Sequence, residues 1–142
     1  MAKSDLYISI VPRDKIANVW PKVEPFLIEA MGTVPRQTDL VTLRGQAERG
    51  EAQIWIVAEQ DQALGAFTTK IYKSNRGQIC SVEWLGGNKL LSWIDIMAEI
   101  VEKFARKHKC VQVEGYGRMA WLRVLKKHGY EMQTITFAKK LD

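Results

Sequence analysis

The chain has 142 residues, 46% hydrophobic and 26% charged, with a formal net charge of +5. Those proportions suit one folded domain over residues 1–142, and they exclude collagen, coiled-coil and low-complexity chains, because Trp, Tyr and Phe are spread through the length without the periods those architectures need. No stretch reaches the roughly 18 unbroken apolar residues of a membrane span, and the first ten residues read as the approach to a strand and not as a secretory leader, so a cytoplasmic protein is expected.

The first predicted strand covers residues 6–11 and stops at Pro12. Ile16, Val19, Trp20, Val23, Phe26, Leu27, Ala30 and Met31 then recur at helical spacing. Pro21 and Pro25 each remove a backbone donor, which predicts two short helical pieces ending at Gly32. Thr38 or Asp39 can cap a further helix bearing Leu40, Leu43 and Ala47, closed near Gly50. Residues 53–58, 63–72 and 79–85 read as three strands of an antiparallel meander, with turns at Asp61-Gln62 and at Ser74-Asn75-Arg76-Gly77.

After Gly86-Gly87-Asn88 comes the strongest helical pattern, in which Leu90, Leu91, Ile94, Met97, Ala98, Val101, Phe104 and Ala105 form one apolar stripe. Residues 110–114 follow as a short buried strand, 118–127 as a second helix and 130–138 as a final strand. The order predicts an α+β fold: a mixed, mainly antiparallel sheet with a long central helix joining two parallel strands, and flanking helices.

Cys80 and Cys110 sit in apolar runs with neither a CxxC pair nor a His cluster, so no metal site is expected. Reduced buried thiols are the expectation, with an interstrand disulfide as the alternative. Residues 103–142 hold ten Lys or Arg against three acids, leaving eleven against thirteen in the first 102. Lys126, Lys127, Lys139 and Lys140 either attract nucleic acid, an acidic protein or a phosphate-rich cofactor, or form a solvated rim; no arginine-rich stripe with interleaved aromatics supports nucleic acid. His108 and His128 lie beside lysines at predicted helix C-termini, where imidazolium suits the helix dipole.

The element order, the helix ending in Phe104-Ala105-Arg106-Lys107-His108-Lys109-Cys110, the segment Leu125-Lys126-Lys127-His128-Gly129-Tyr130-Glu131 and the ending Phe137-Ala138-Lys139-Lys140-Leu141 together resemble the GNAT family of acetyl-CoA-dependent N-acyltransferases. That resemblance implies a cofactor site where the long helix begins, because unpaired amides and the helix dipole favour an anion. Its residues here are Leu85, Gly86, Gly87, Asn88, Lys89 and Ser92, but Leu90, Ser92 and Ile94 fall where the family has small or glycine residues. Gly86 and Gly87 form either a shifted phosphate nest, with Asn88 as cap and Lys89 as counter-charge, or a plain glycine turn.

The resemblance also implies an acid and a base. Leu125 occupies the position of the family's tyrosine acid, which leaves Glu83, Tyr116 and Tyr130 as candidates. Gly117-Arg118-Met119-Ala120-Trp121-Leu122-Arg123 resembles a Gly-Arg-x-x-Trp-x-Arg pattern of small GNAT-like proteins encoded among bacteriophage virion genes, with Arg118, Trp121 and Arg123 as interaction residues. On this reading the chain is a non-catalytic or vestigial GNAT-like phage protein of the virion, its assembly or genome ejection. It would have protein partners in host cytoplasm and virion, and no cofactor. The alternative is an active acetyl-CoA-dependent N-acyltransferase with an atypical pyrophosphate loop.

Overall fold

The computed structural model describes residues 6–33, 39–116 and 119–141. Five strands lie in one sheet in chain order: β1 (Leu6–Ile10), β2 (Gln53–Glu59), β3 (Gln62–Ser74), β4 (Gly77–Gly87) and β5 (Cys110–Gly115). β1 to β4 are antiparallel neighbours, whereas β5 runs parallel to β4. A parallel pair needs a crossover, and helix α3 (Ile94–Lys107) supplies it. The fold is therefore α+β, as the sequence predicts. The β2–β3 turn falls one residue earlier than expected, with Gln60 left-handed at φ 55° and Glu59 opposite Gln62.

Helix α1 (Ile16–Thr33) corrects the expectation of two short pieces. Pro21 and Pro25 are four residues apart and exposed, so the carbonyls of Ala17 and Pro21, which lose their helical donors, lie on the water side. The opposite face carries Ile16, Trp20, Val23, Leu27 and Ala30 into the core. Gly32 does not stop the helix, which runs to Thr33. Helix α2 (Leu40–Glu48) begins at Asp39, whose carboxylate accepts from the Thr42 N–H at 2.7 Å. It ends in paired bonds from Gly50 N–H to Ala47 and Glu51 N–H to Gln46, with Gly50 at φ +80°.

The sheet separates two cores. On one face, α1 and α2 pack on Ile54, Ala66 and Trp84; on the other, α3 packs on Trp55, Val57, Phe67 and Cys80. Phe104 joins the second core edge-on to Trp55, at 5.2 Å and 87°.

The entry to α3 differs from the expectation. Lys89 is left-handed at φ 53°, Leu90–Ser92 form a single 3-10 turn, and Trp93, not Asn88, precedes the helix. The change from 3-10 to α geometry breaks the apolar register, so Leu91 is 75% exposed while Trp93 is fully buried. Beyond β5, helix α4 (Met119–Leu125) and a 3-10 turn (Lys126–His128) lead to Gly129, left-handed at φ +88°.

The predicted last strand over 130–138 is not formed: residues 130–141 are in neither helix nor strand, and 131–141 are exposed. Tyr130 donates from its hydroxyl to Glu102 of α3 at 3.2 Å, which ties the start of the segment to that helix. Strand propensity alone orders nothing without a paired edge. The two cysteines are free thiols, and burial pushes Cys80 up to about 12, with a smaller upward push from Cys110. No helix among the described residues is long and apolar enough to cross a membrane.

Candidate active site

β5 accompanies β4 only part of the way. The pairing runs from Gln78 opposite Cys110 to Val82 opposite Gly115, and the last link is Tyr116 N–H to the Val82 carbonyl at 3.4 Å. From Glu83 onward β4 is paired, among the described residues, on one side only, with β3, so the two parallel strands part as a fork.

A bulge lies at that point. Val82 faces Thr69 and Leu85 faces Phe67, leaving Glu83 and Trp84 together opposite Thr68. Thr68, itself buried, accepts the Trp84 N–H on its hydroxyl at 3.3 Å. Asn88 N–H donates back to Leu64 of β3, so by strand alternation Leu85 and Gly87 direct their N–H and C=O groups into the fork. The edge from 83 to 87 is about 13 Å long at the usual strand rise.

Strand alternation also sorts the side chains. Ile71, Cys80, Val82 and Val113 belong to the core under α3, so Tyr72, Ser81, Glu83, Gln112 and Glu114 emerge on the opposite face. Ser81 donates to Glu83 at 2.9 Å; Tyr72 and Tyr116 donate to one oxygen of Glu114 at 2.7 and 3.4 Å, and Gln112 to the other at 3.3 Å. The hydrogen bond to Glu114, with desolvation and nearby negative charge adding to it, pushes Tyr72 up to about 12. Glu83 and Tyr116 are thus brought to one face of the sheet at the fork, on either side of Tyr72, with Tyr116 at the vertex.

Tyr130, the third predicted candidate, lies on the α3 face. Burial first, and then the Glu102 carboxylate, push its hydroxyl far above the usual tyrosine range. It does not join the other two. Tyr72 and Glu114 are additional members of the Glu83 and Tyr116 face; only the alternation of β3 and β5 in the sequence pointed to it.

The structure shows a packing reason for the glycines. A Cβ on Gly86 would stand 2.2 Å from the Phe26 carbonyl oxygen of α1. One on Gly87 would stand 2.7 Å from Leu64 O and 2.9 Å from the Trp93 ring, and one on Gly65 of β3 would meet Gly86 O at 2.8 Å. These glycines let α1, β3, β4 and Trp93 approach one another, and protein fills the space that their side chains would need. The Trp93 ring N–H also holds the Asn88 carbonyl at 2.8 Å.

Ser92 turns its hydroxyl onto the Lys89 carbonyl of its own turn. Lys89 remains exposed beside the fork, with no ion pair among the described residues. In the first turn of α3, Asp95 is held by His128 Nε2 at 2.8 Å and Lys127 at 3.1 Å, and both lower its carboxyl, His128 the more. His128 is therefore a clamp between α4's end and α3's start. His108 caps the end of α3 and tilts against Phe104 at 4.5 Å.

Of the interaction residues, Trp121 packs partly buried against the α3 core and Arg123 is exposed, whereas Arg118 lies outside the described residues. No group of three or more metal-ligating side chains occurs among the described residues.

No family model matches the sequence, and no curated protein is similar to it. Solved structures are similar in fold. An aminoglycoside acetyltransferase from an uncultured soil metagenomic sample superposes with a TM-score of 0.69 at 12% identity, over 97% of each chain. A probable acetyltransferase gives 0.70 at 11% identity, over 96% of this chain and 97% of that one. A predicted acetyltransferase from Clostridium acetobutylicum, solved with acetyl-CoA, gives 0.64 at 10% identity over 95% and 96%. The fold of this chain is the GNAT fold. The comparisons lend the virion resemblance of residues 117–123 no support.

Proposed function

We propose that the protein is an acyl-CoA-dependent N-acyltransferase, in preference to a vestigial virion protein. The observation that carries this reading is the fork: β4 offers the N–H and C=O groups of Leu85 and Gly87 along an edge that no strand among the described residues covers, next to the sheet face that bears Glu83 and Tyr116. An extended chain with amide groups, such as the arm of acetyl-CoA, can pair with that edge as an added strand would. Lys89 and the free amides of the first turn of α3 are the groups on hand for its phosphates, without the glycine nest.

The cofactor supplies the activated acyl thioester. Glu83 takes the proton from the attacking amine, and Ser81 fixes its carboxylate from one side. As the C–N bond forms and the C–S bond breaks, the Tyr116 hydroxyl provides the proton that the departing sulfur needs. Leu125, at the position of the family's acid, is apolar and packed on the α3 core, which leaves that task to the vertex of the fork.

Calorimetric titration with acetyl-CoA, followed by thiol-release assays on a panel of amines, tests the proposal. Saturable binding is expected, with Glu83→Gln lowering kcat by about 10²-fold at unchanged cofactor affinity, the lower end of what a general base contributes. Absence of both binding and thiol release would refute it.

A further inference from the structure

Ile71 packs with the α3 core, so Lys70 before it and Tyr72 after it emerge on the opposite face of the sheet, the one that bears Glu83, Glu114 and Tyr116. The strand register sets Lys70 in one row with Ser81 of β4 and Glu114 of β5. Glu83 occupies the next position of β4 on the same face, diagonal to Lys70 and about 7 Å from it between Cβ atoms.

The acids of this face already have donors. Ser81 serves Glu83, and Tyr72, Tyr116 and Gln112 serve Glu114. The Lys70 side chain is partly buried, and its ammonium has no hydrogen bond or ion pair with another described residue. Partial burial strips such a cation of some of its water, and an anion brought by a ligand restores the lost stabilisation.

The place of Lys70 on the strand says which ligand that is. From Ser81, its partner on β4, to Gly87, where the strand reaches the entry to α3 and Lys89, is about 20 Å at the usual rise. Lys70 therefore stands at the Glu83 end of the fork and serves the acceptor, while the cofactor phosphates belong to the far end.

We infer that Lys70 selects the acceptor: the amine that the protein acylates carries an oxyanion, a carboxylate as in an amino acid or a phosphate, which the Lys70 ammonium holds while the amine nitrogen is presented to Glu83. The diagonal spacing suits an amine and an oxyanion a few bonds apart. This inference rests on the proposed activity and names the substrate class of the same site.

Initial rates of acetyl-CoA-dependent thiol release on matched acceptors test it: amino acids against their carboxamides, and aminoalkyl phosphates against the corresponding amino alcohols. The carboxamide keeps the shape and removes the charge, and its amine is the less basic, so a preference for the acid reads the counter-charge and not the nucleophile. The expected kcat/KM is at least about 10-fold higher for the oxyanionic member of one pair, and the pair that shows it identifies the group. Lys70→Met should bring that ratio close to one, and Lys70→Arg, which keeps the charge, should retain most of it. Because each ratio is taken within one protein, a general loss of activity cancels from it. Equal kcat/KM for both members of every pair, or a ratio that Lys70→Met leaves intact, would overturn the inference while the activity stands; thiol release with no amine at all would overturn both.

Discussion

Gly86→Ala separates packing from ligand binding as the reason for a glycine at the end of β4. The added Cβ would sit 2.2 Å from the Phe26 carbonyl oxygen and 3.1 Å from its carbonyl carbon, both backbone atoms in the middle of α1. A backbone atom in an 18-residue helix cannot swing aside as a side-chain end can, so α1 or the end of β4 must shift by about an ångström. Overpacking of this kind costs about 1–3 kcal/mol. At this chain length 1 kcal/mol corresponds to about 3–4 °C, so Tm should fall by roughly 3–12 °C.

Gly32→Ala is the control. Its Cβ meets nothing within 4 Å, and alanine in a helix is favoured over glycine by about 0.5–1 kcal/mol, so that variant should hold or raise Tm. Thermal unfolding followed by circular dichroism, without any ligand, reads both. A Gly86→Ala protein as stable as the parent would refute the packing argument.

Two further outcomes follow from buried and bridging polar groups. The ring N–H of buried Trp55 donates to Thr69 at 3.0 Å, and Thr69 donates onward to Gln53 at 2.8 Å; Thr69→Val keeps the shape but strands the indole donor, and should cost about 1–3 kcal/mol in urea unfolding. Asp95 has its carboxyl held below the ordinary 3.8 by His128 and Lys127, so the folded state binds that proton more weakly than the unfolded chain does. The stabilisation is present above the unfolded value of 3.8, begins to fade as that value is approached, and is lost as pH falls through the lowered one. The urea midpoint should therefore drop more steeply on acidification in the parent than in Asp95→Asn; parallel profiles would dismiss the clamp.

Periodicity in the sequence sufficed for much of this protein. The meander of β2 to β4, the stripe of Ile94, Met97, Ala98, Val101 and Ala105, and a cap at Thr38 or Asp39, which the structure assigns to Asp39, are local patterns, and local patterns survive folding when each side chain's environment depends on its near neighbours. Glu83 on a predicted strand and Tyr116 just after the next one were recognisable as chemical types. That they share a face of the sheet, and that Tyr130 does not, depends on strand alternation across three strands and a bulge.

Other features had no local sign. Pro21 and Pro25 lie within one helix because both face water, which becomes visible only when the opposite face is seen against the sheet. Gly86 and Gly87 read as a ligand turn or a plain one until α1, β3 and Trp93, brought in from distant parts of the chain, occupied the space beside them. The segment after Gly129 has the composition of a strand, but a strand is completed by a partner edge, and residues 130–141 pair with none among the described residues. Backbone close approach and edge pairing join residues far apart in sequence, so no window of sequence contains them.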